Sequence, residues 1–455
     1  MIRMHVSEAA RLLKANHSGP DTVFQGCGID SRVLPKEALF IALPGHHRDG
    51  HDFVNFAADQ GAAAAIVERN GRHYPLPTIN VSDCHHALEQ LASIWRKQFT
   101  CSLVAVTGSN GKTTVKELLA AIFRKLGPTH ATRGNLNNEL GVPLTLLELS
   151  RKHRWAVVEM GANHPNEISK LTCIARPTIG VITQCAPAHL EGFGNIESVA
   201  KAKGELLTGL DRTGIAIINA DDSHADLWRK LAGSRRLMTF GLDNPADISA
   251  DYQLEQDRVR LTLKTPFGCQ DTQIALPGRH NVLNALAATA AAVMAGCPLE
   301  VVAKGLMSAS CVTSRLQIKY AQNGVRIIDD SYNANPGSLA AALKVLGNYP
   351  EFRWLILGDM GELGNEGPRL HKRAGIVAKE SGVTRLFATG ILSRYAVSAF
   401  GSGGSHYADS ADLLSALHAE LTKGTTVLVK GSRHMRMEQV VNGLLKPGNK
   451  TCCYC

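Results

Sequence analysis

Long apolar runs are absent from this chain, although 44% of its 455 residues are apolar. A transmembrane helix needs about 18 consecutive apolar residues, so we expect no segment that spans a membrane. The first residues, MIRMHVSEAARLLKANH, have helical apolar spacing and lack the apolar core and cleavage site of a secretory signal. We therefore expect a globular protein that stays in the cytoplasm.

Aromatic residues are also scarce, at 5% of the chain. Proteins that bind single-stranded nucleic acid usually stack bases on aromatic side chains. The 49 Lys and Arg residues exceed the 40 Asp and Glu residues by nine, but the charges are spread along the chain without long runs. We therefore expect no nucleic-acid partner, and the basic balance suits small polyanionic substrates better.

Paired cysteine spacing is nearly absent as well. Eight of the eleven cysteines are scattered, which is typical of a compartment that keeps thiols reduced. The other three lie in the terminal Cys452-Cys453-Tyr454-Cys455. Because zinc needs about four ligands and no second pair lies nearby, we expect this end to be a solvated tail.

The chain does contain a repeated strand–helix pattern between residues 102 and 446. Short β-branched or apolar runs are each followed by a polar cluster and an Ala/Leu-rich stretch, which predicts largely parallel sheets. The eight runs begin at Leu103, Trp155, Ile179, Ile215, Arg326, Arg353, Arg385 and Thr426. Between the two groups of four, alternation within 247–277 predicts antiparallel hairpin strands, followed by an Ala-rich helix over 281–295.

This pattern predicts an α/β fold with three domains, in agreement with about 150 residues per domain. We place the boundaries near residues 83 and 313. Residues 1–83 would form a small N-terminal α/β module, 84–313 a central parallel-sheet domain, and 314–455 a C-terminal Rossmann-like domain. We expect the protein to act as a monomer.

A glycine-rich turn follows the strand that begins at Leu103. Its residues are Thr107, Gly108, Ser109, Asn110, Gly111, Lys112, Thr113 and Thr114. A strand, such a turn and a helix N-terminus together supply backbone N–H groups for phosphate oxygens, with Lys112 suited to the β- and γ-phosphates and Thr113 to Mg²⁺. A strict P-loop has glycine where Val106 stands, and a turn that only caps a helix is the alternative. ATP with Mg²⁺ is the expected ligand.

The TGSNGKTT turn resembles the phosphate loop of the Mur ligases and their folylpolyglutamate synthase relatives. Further stretches resemble this family in order along the whole chain: GNLNNELGVP, VVEMGANHPNEI, AHLEGFG, AKAKGELL, GRHNVLNALAA, DDSYNANPGS, LGDMGELG and VLVKGSRHMRME. The resemblance implies an ATP-dependent amide ligase of bacterial peptidoglycan precursor synthesis. The YNANP and LGDMGELG stretches resemble most the members that join D-alanyl-D-alanine to UDP-N-acetylmuramoyl-tripeptide.

The reaction implied by this resemblance begins with transfer of the γ-phosphate of ATP to the terminal carboxylate of the tripeptide. The amine of D-alanyl-D-alanine then displaces phosphate from the acyl phosphate. Because a carboxylate and a triphosphate repel each other, catalysis must come from positioning and positive charge rather than from a protein nucleophile. Metal ligands and cations are therefore the residues to seek.

Three residues are candidates for metal binding beside Thr113. Glu159 ends the strand at Trp155, at the sheet edge where α/β proteins bind ligands, although it could instead cap the next turn. Imidazole is an unusual ligand for Mg²⁺, so His189 is a loop histidine on chemistry alone. The resemblance implies that it binds a second metal. Lys203 aligns with a lysine that is carbamylated in several family members, whereas the sequence alone suggests a solvated helix lysine.

The resemblance also implies residues that bind the nucleotide. Asn281 would meet adenine, with helix N-capping as the alternative. Arg315 would reach the γ-phosphate, and Ser314 replaces the glycine that is usual beside it. Asp330 would bind ribose, and Tyr332 would stack on adenine. Together with Lys112, His189 and Lys203, Arg315 completes the predicted catalytic set.

Candidates for the acceptor and for the dipeptide lie in all three parts of the chain. Ser31, Arg32 and His51 would meet UDP in the N-terminal domain, and Asn135 and Asn137 would meet the sugar or diphosphate. Near the C-terminal end, the candidates are Asn333, Asn335, Lys430 and Arg433. A turn-forming role is the alternative for Asn333 and Asn335. Plain surface exposure is the alternative for Lys430 and Arg433.

Other interpretations stay open on the sequence. A sibling ligase would add a different amino acid, and a P-loop NTPase switch or kinase would usually have Asp where Glu159 stands. An inactive nucleotide-binding scaffold would be expected to lose Lys112, Glu159 or Lys203, yet all three are present.

Overall fold

The structure, a computed structural model, describes residues 1–45, 48–68, 71–188, 190–309, 312–321, 324–350 and 352–445. His189, a predicted metal ligand, and the predicted solvated tail at 452–455 lie outside the described residues. Within those ranges, no helix is long and apolar enough to cross a membrane.

The N-terminal part is built from short strands and three helices. They are β1 (Arg3–His5), α1 (Val6–Leu12), β2 (Asn16–Ser18), β3 (Val23–Gln25), β4 (Cys27–Gly28), β5 (Leu39–Ile41), α2 (Val54–Asp59), β6 (Ala64–Glu68), β7 (Thr78–Val81) and α3 (Cys84–Arg96). Strands β1 and β3 form an antiparallel pair. The other five form a sheet in the order β2-β7-β6-β5-β4, in which β2 alone pairs antiparallel among the described strands.

The central part alternates strands and helices. Its elements are β8 (Ser102–Thr107), α4 (Lys112–Arg124), β9 (Thr129–Ala131), α5 (Gly141–Leu147), β10 (Trp155–Glu159), α6 (Glu167–Ala175), β11 (Ile179–Ile182), α7 (Leu190–Phe193), α8 (Ile196–Thr208), β12 (Ile215–Asn219), α9 (Ala225–Ala232), β13 (Arg236–Phe240), β14 (Ser249–Leu254), β15 (Val259–Thr265), β16 (Gly268–Ile274), α10 (Arg279–Met294) and α11 (Leu299–Met307). Strands β8 to β13 form a parallel sheet in the order β13-β12-β11-β8-β10-β9.

The strand order of this central sheet explains where a ligand can bind. After β8 the chain moves to β9 and β10 on one side, and then crosses to β11 on the other side. A crevice therefore opens at the carboxyl end of β8, which is where ligands bind in open α/β sheets. The glycine-rich turn follows β8 and so lies at this point.

Helix α10 packs inside the central part. Twelve of its sixteen residues are buried, and six of these twelve are alanine. A helix buried all round can be apolar on every face, and alanine lets its neighbours approach closely. Helix α10 follows strands β14, β15 and β16 in the chain. These strands form an antiparallel sheet, which confirms the predicted hairpin strands.

The C-terminal part repeats the strand–helix alternation. Its elements are β17 (Gln317–Tyr320), β18 (Arg326–Asp330), α12 (Pro336–Leu346), β19 (Arg353–Gly358), α13 (Gly367–Glu380), β20 (Arg385–Thr389), α14 (Ser393–Phe400), β21 (Gly404–Tyr407), α15 (Ser410–Glu420), β22 (Thr426–Lys430) and α16 (Glu438–Leu445). The sheet order is β17-β18-β22-β19-β20-β21, with β17 antiparallel at the edge. All eight strands predicted from the apolar runs are present, and each pairs in parallel with at least one neighbouring strand, which confirms the α/β class.

The C-terminal part contacts the central part at the β14–β15 hairpin and at α7. The Tyr349 hydroxyl donates a hydrogen bond of 2.7 Å to the Gln256 carbonyl, and the Glu191 amide donates one of 3.4 Å to the Glu362 carbonyl. The predicted domain boundaries fall directly before α3 and between α11 and β17. The division into domains at these residues stays a prediction.

Candidate active site

Two glycines in the turn after β8 are required by close contacts. Gly108 has φ +144°, and a Cβ there would lie 1.9 Å from Thr183 Oγ1. Gly111 has φ +84°, and a Cβ there would lie 2.3 Å from Asn284 Oδ1. Any side chain would therefore push the turn away from β11 and α10. We call residues 107–114 the phosphate loop.

Hydroxyl groups hold the phosphate loop in place. Thr107 Oγ1 donates to the Met160 carbonyl at 2.8 Å, and Ser109 Oγ donates to the Ala186 carbonyl at 3.0 Å. These two predicted ligand-binding side chains therefore support the backbone. The N–H groups of the first turn of α4, which includes Thr113 and Thr114, have no partner within the helix and are the natural phosphate donors.

Lys112 lies across the phosphate loop. Its Nζ donates to the Gly108 carbonyl at 2.8 Å and to the Ser109 carbonyl at 3.4 Å. Burial lowers the pKa of Lys112, the charge of Glu159 opposes this shift, and Arg315 adds to it. A bound polyanion would favour the charged ammonium. Lys112 is thus suited to a triphosphate.

Glu159 ends β10 with only 2% of its surface exposed. Its Oε1 accepts a 2.7 Å hydrogen bond from Asn137 Nδ2, rather than from the turn that follows the strand. Its Oε2 is buried and has no hydrogen-bond partner among the described residues. Because an orphaned buried carboxylate oxygen is costly, the site fits a hard cation such as Mg²⁺.

The described residues contain no cluster of three or more His, Cys, Asp or Glu that could hold a metal alone. Mg²⁺ commonly takes one or two carboxylates, with substrate phosphates and water completing its shell. Thr113, the second residue of α4, and Glu159 are therefore enough protein ligands for one Mg²⁺ ion. His189 lies outside the described residues and is not placed.

Lys203 lies on α8 with 1% of its surface exposed. Burial, with a further contribution from the charge of Lys112, lowers its pKa to about 7. Its Nζ lies 5.5 Å from the centre of the Phe193 ring. The interpretation as a solvated lysine is wrong for Lys203, whereas Lys201 two residues earlier is exposed.

A cavity of about 180 Å³ lies between α10 and α12 beside the phosphate loop. Asn281, a predicted adenine contact, lines this cavity as the third residue of α10. The helix N-cap is Gly278, so the alternative of an N-capping Asn281 is wrong. Asn281 Nδ2 instead donates to the Pro277 carbonyl at 2.8 Å, and its Oδ1 accepts from Asn284 Nδ2 at 2.9 Å.

Asp330 and Lys430 form a buried ion pair on the wall of the same cavity. Lys430 is 1% exposed and also donates to the Asn333 carbonyl at 2.9 Å. Burial lowers the pKa of Lys430, although Asp330 opposes this shift. Surface exposure is therefore the wrong interpretation for Lys430. In contrast, the side chain of Arg433 is 63% exposed and contacts Glu438 at 3.2 Å.

Arg315 stacks on Tyr332, with its guanidinium carbon 4.3 Å from the ring centre. Ser314 has φ +59°, a left-handed conformation that glycine adopts without strain. Tyr332 lines a second cavity, of about 340 Å³, instead of the 180 Å³ cavity beside Asn281. The arrangement therefore gives no support to adenine stacking by Tyr332.

The second cavity gathers residues from both parts of the chain. Lys112, Asn135, Asn137, Glu159, Arg315, Tyr332, Asn333 and Arg433 are among the residues that line it. It therefore combines cations, amides and the orphaned Glu159 carboxylate next to the phosphate loop. This arrangement can hold two anionic groups side by side, as transfer of a phosphoryl group to a carboxylate requires.

The three predicted UDP contacts differ in availability. Ser31 is 6% exposed, and both ring nitrogens of His51 are used, by Asp49 Oδ1 at 2.6 Å and by the Glu68 amide at 2.9 Å. The side chain of Arg32 is 76% exposed. Its hydrogen bonds to Asp30 lower the pKa of that carboxyl to about 2. Of the three, Arg32 is best placed to meet a ligand.

Two residues that line the 180 Å³ cavity, His280 and Asn284, were not predicted from the sequence. Asn284 donates a hydrogen bond to Asn281 and lies beside Gly111. Burial lowers the pKa of His280 to about 4. The Asn-x-x-Asn spacing could have revealed Asn284, because residues three apart share a helix face. Nothing in the sequence pattern distinguishes His280 from a surface histidine.

Comparison with known proteins gives matches along the chain. The description "Mur ligase family, catalytic domain" matches residues 23–96, "Mur ligase middle domain" matches 106–292, and "Mur ligase, glutamate ligase domain" matches 314–433. The UDP-N-acetylmuramoyl-tripeptide–D-alanyl-D-alanine ligase of Escherichia coli (strain K12) is 41% identical and covers 99% of this chain and 100% of its own. The Bacillus subtilis (strain 168) protein of the same name is 34% identical and covers 98% and 99%.

Solved structures agree with these matches. A crystal structure of MurF from Acinetobacter baumannii has a TM-score of 0.92 at 32% identity and covers 98% of this chain and 100% of its own. MurF ligase from Thermotoga maritima in complex with ADP has a TM-score of 0.82 at 26% identity and covers 92% and 97%. From these matches over nearly the full length, the chain belongs to the Mur ligase family.

Proposed function

We propose that this chain joins D-alanyl-D-alanine to UDP-N-acetylmuramoyl-tripeptide in an ATP-dependent peptide ligation that forms ADP and phosphate. The observation that carries the proposal is the 340 Å³ cavity, where Lys112 and Glu159 of the central part meet Arg315 of the C-terminal part. The names of the E. coli and B. subtilis relatives support this choice of substrates. The reaction belongs to peptidoglycan precursor synthesis.

The first step transfers the γ-phosphate of ATP to the terminal carboxylate of the acceptor. The P–O bond to ADP breaks, and a new P–O bond forms to the carboxylate oxygen. Lys112 and Arg315 reduce the repulsion between the two anions, because both side chains line the cavity where these anions would meet. The α4 N-terminus orients the phosphates through its backbone N–H groups.

Thr113 and Glu159 would hold Mg²⁺, consistent with the orphaned Oε2 of Glu159. When bound, Mg²⁺ neutralises charge on the β- and γ-phosphate oxygens. Asn137 fixes the orientation of the Glu159 carboxylate by donating to its other oxygen. We further propose that Lys203 is carbamylated and contributes to a second metal site together with His189.

The second step forms the peptide bond. The amine of D-alanyl-D-alanine attacks the acyl carbon, phosphate leaves with the electron pair of the C–O bond, and the amine loses a proton. Arg433, which is exposed and lines the cavity, is the proposed partner of the dipeptide carboxylate. Because phosphate activates the carboxylate, no protein nucleophile is required.

The nucleotide and the acceptor would occupy different regions. We propose that adenosine lies in the 180 Å³ cavity beside Asn281 and Asp330, and that UDP lies near Arg32 of the N-terminal domain, 1–83. The 84–313 domain would bind the phosphates, and the 314–455 domain would close over them. Since one chain supplies every residue of this scheme, we propose a monomer, which acts in the cytoplasm where ATP is available.

An amine-donor panel tests the function. The purified chain is incubated with ATP, Mg²⁺ and UDP-N-acetylmuramoyl-tripeptide, and phosphate release and product mass are measured for each donor. D-alanyl-D-alanine is expected to give a product, and D-glutamate and meso-diaminopimelate are expected to give none. Efficient ligation of a single amino acid would assign the chain to a sibling activity instead.

A further inference from the structure

One hydrogen bond joins the phosphate loop directly to the C-terminal part. Asn335 Nδ2 donates to Asn110 Oδ1 at 2.8 Å, between residues 225 positions apart in the chain. Asn335 stands immediately before α12, and Asn110 stands two residues before Lys112. The bond therefore spans the cleft in which the nucleotide is proposed to bind.

The helix cap of α12 fixes which way the Asn335 amide faces. The side-chain oxygen of Asn335, Oδ1, accepts from the backbone N–H of Ser338 at 2.8 Å. Ser338 Oγ completes the capping box by accepting from the backbone N–H of Asn335 at 3.0 Å. With its oxygen used in the cap, Asn335 can present only its NH₂ group to Asn110. An amide flip at Asn335 would break the cap.

This orientation in turn fixes Asn110. Its oxygen must face Asn335, because two NH₂ groups would otherwise meet without an acceptor. Asn110 Nδ2 is consequently left without a bond to Asn335, and a Cβ on Gly337, the second residue of α12, would lie 3.6 Å from it. This nitrogen is buried and has no partner among the described residues. Asn110 lines both the 180 Å³ cavity and a 60 Å³ cleft that it shares with Lys112 and Thr113.

We propose that Asn110 and Asn335 form a latch, in which Asn110 donates to a phosphate oxygen of the bound nucleotide while Asn335 holds the Asn110 amide in the donating orientation. Asn335 is thus a positioning residue rather than a substrate contact. The latch ties occupation of the phosphate site to docking of the part that carries Arg315. The identity of the nucleotide as ATP rests on the proposed function.

The latch makes nucleotide affinity depend on a residue in the other half of the cleft. Coupling between sites is reciprocal, so phosphate binding strengthens docking to the extent that docking strengthens phosphate binding. A plain helix cap at Asn335 would act through the stability of α12 alone. The two roles therefore predict different responses to substitution.

Asn335→Ser separates the two roles. Serine is as good an N-cap as asparagine, but its hydroxyl is too short to reach Asn110. Ser338→Ala is the matched control, because it weakens the capping box and leaves both amides in place. Asn335→Thr, another N-cap residue, repeats the test if the serine variant fails to fold. Thermal melting checks the fold of every variant.

The experiment is calorimetric titration of each variant with the non-hydrolysable analogue AMPPCP in Mg²⁺, and with adenosine, which has no phosphate. We expect Asn110→Ala to weaken AMPPCP binding about tenfold and Asn335→Ser to weaken it about three- to tenfold, as expected for one hydrogen bond. Asn335→Ser should have no further effect in the Asn110→Ala background. Adenosine affinity and the Ser338→Ala variant should stay close to wild type.

Three results would overturn the latch: losses that multiply in the double variant, an equal loss for Ser338→Ala, or an equal loss of adenosine affinity in Asn335→Ser. The readout is nucleotide binding and does not need turnover. A wild-type chain that fails to ligate D-alanyl-D-alanine would therefore refute the proposed function while leaving the latch measurable.

Discussion

Lys203 offers the sharpest chemical prediction, because its buried amine has to be neutral before it can take up CO₂. Burial on α8 lowers its pKa to about 7. A neutral amine attacks CO₂ and loses a proton to give a carbamate, whose oxygens bind metal as a carboxylate does. We therefore expect activity to depend on CO₂ and on this one lysine.

The size of the effect follows from the pKa. At pH 8 a lysine with a pKa of about 7 is about 90% neutral, whereas one with the ordinary pKa of about 10.4 is about 0.4% neutral. Burial therefore raises the reactive fraction roughly two hundredfold at this pH. Because the folded-state pKa is lowered, the protonated amine returns as the pH falls below about 7, and carbamate is lost there.

The assay follows phosphate release by enzyme that has been depleted of CO₂, at pH 6.5 and at pH 8, before and after bicarbonate is added. Bicarbonate should stimulate turnover, and its half-saturating concentration should be higher at pH 6.5. ¹³C-bicarbonate should give a carbamate NMR signal that is missing from Lys203→Ala. Lys201→Ala, an exposed lysine on the same helix, is the matched control.

Lys203→Ala should lose about 10²-fold or more in kcat, because a charge needed at the reacting phosphates is missing. Formate or acetate should restore part of the activity by entering the vacated space, and chloride at equal ionic strength should not. Near-full activity of Lys203→Ala would refute the reasoning. Lost activity without rescue by either carboxylate would indicate a cationic role for the unmodified amine.

Three further predictions concern charge, stability and closure. Lys112→Ala should lower kcat by about 10² or more without changing the melting temperature, and activity within tenfold of wild type would contradict the ATP-site assignment. Arg96 is 5% exposed and donates to four backbone carbonyls. In urea denaturation, Arg96→Leu should therefore lower the free energy of unfolding by roughly 3 kcal/mol. Arg32→Leu, which replaces an exposed arginine, is the control and should change it little. Small-angle scattering should show a smaller radius of gyration with AMPPCP and acceptor bound, and an unchanged radius in proven complexes would argue against closure.

The parallel sheets were predictable because their strands are covered on both faces. Strand β10, WAVVE, is buried throughout, so the sequence shows a continuous apolar run. Short strands of the N-terminal part gave no such signal. Strand β4 has only two residues, Cys27–Gly28, and β2 is exposed at every position, so neither has a period to detect.

The candidate site was predictable where local sequence determines the geometry, as in the phosphate loop. It was not predictable where long-range packing decides the environment. Lys203 and Lys201 have the same local sequence character, yet only Lys203 is buried. The partner of Asn335 lies 225 residues away, and the burial of Lys430 depends on its pairing with Asp330 across adjacent strands.

The most direct test of the ligase mechanism is transfer of ¹⁸O from the acceptor to phosphate. The terminal carboxylate of UDP-N-acetylmuramoyl-tripeptide is labelled with ¹⁸O, and the reaction is run with ATP, Mg²⁺ and D-alanyl-D-alanine. An acyl phosphate predicts that each product molecule is accompanied by phosphate carrying one ¹⁸O atom. Product formed together with unlabelled phosphate would contradict this mechanism.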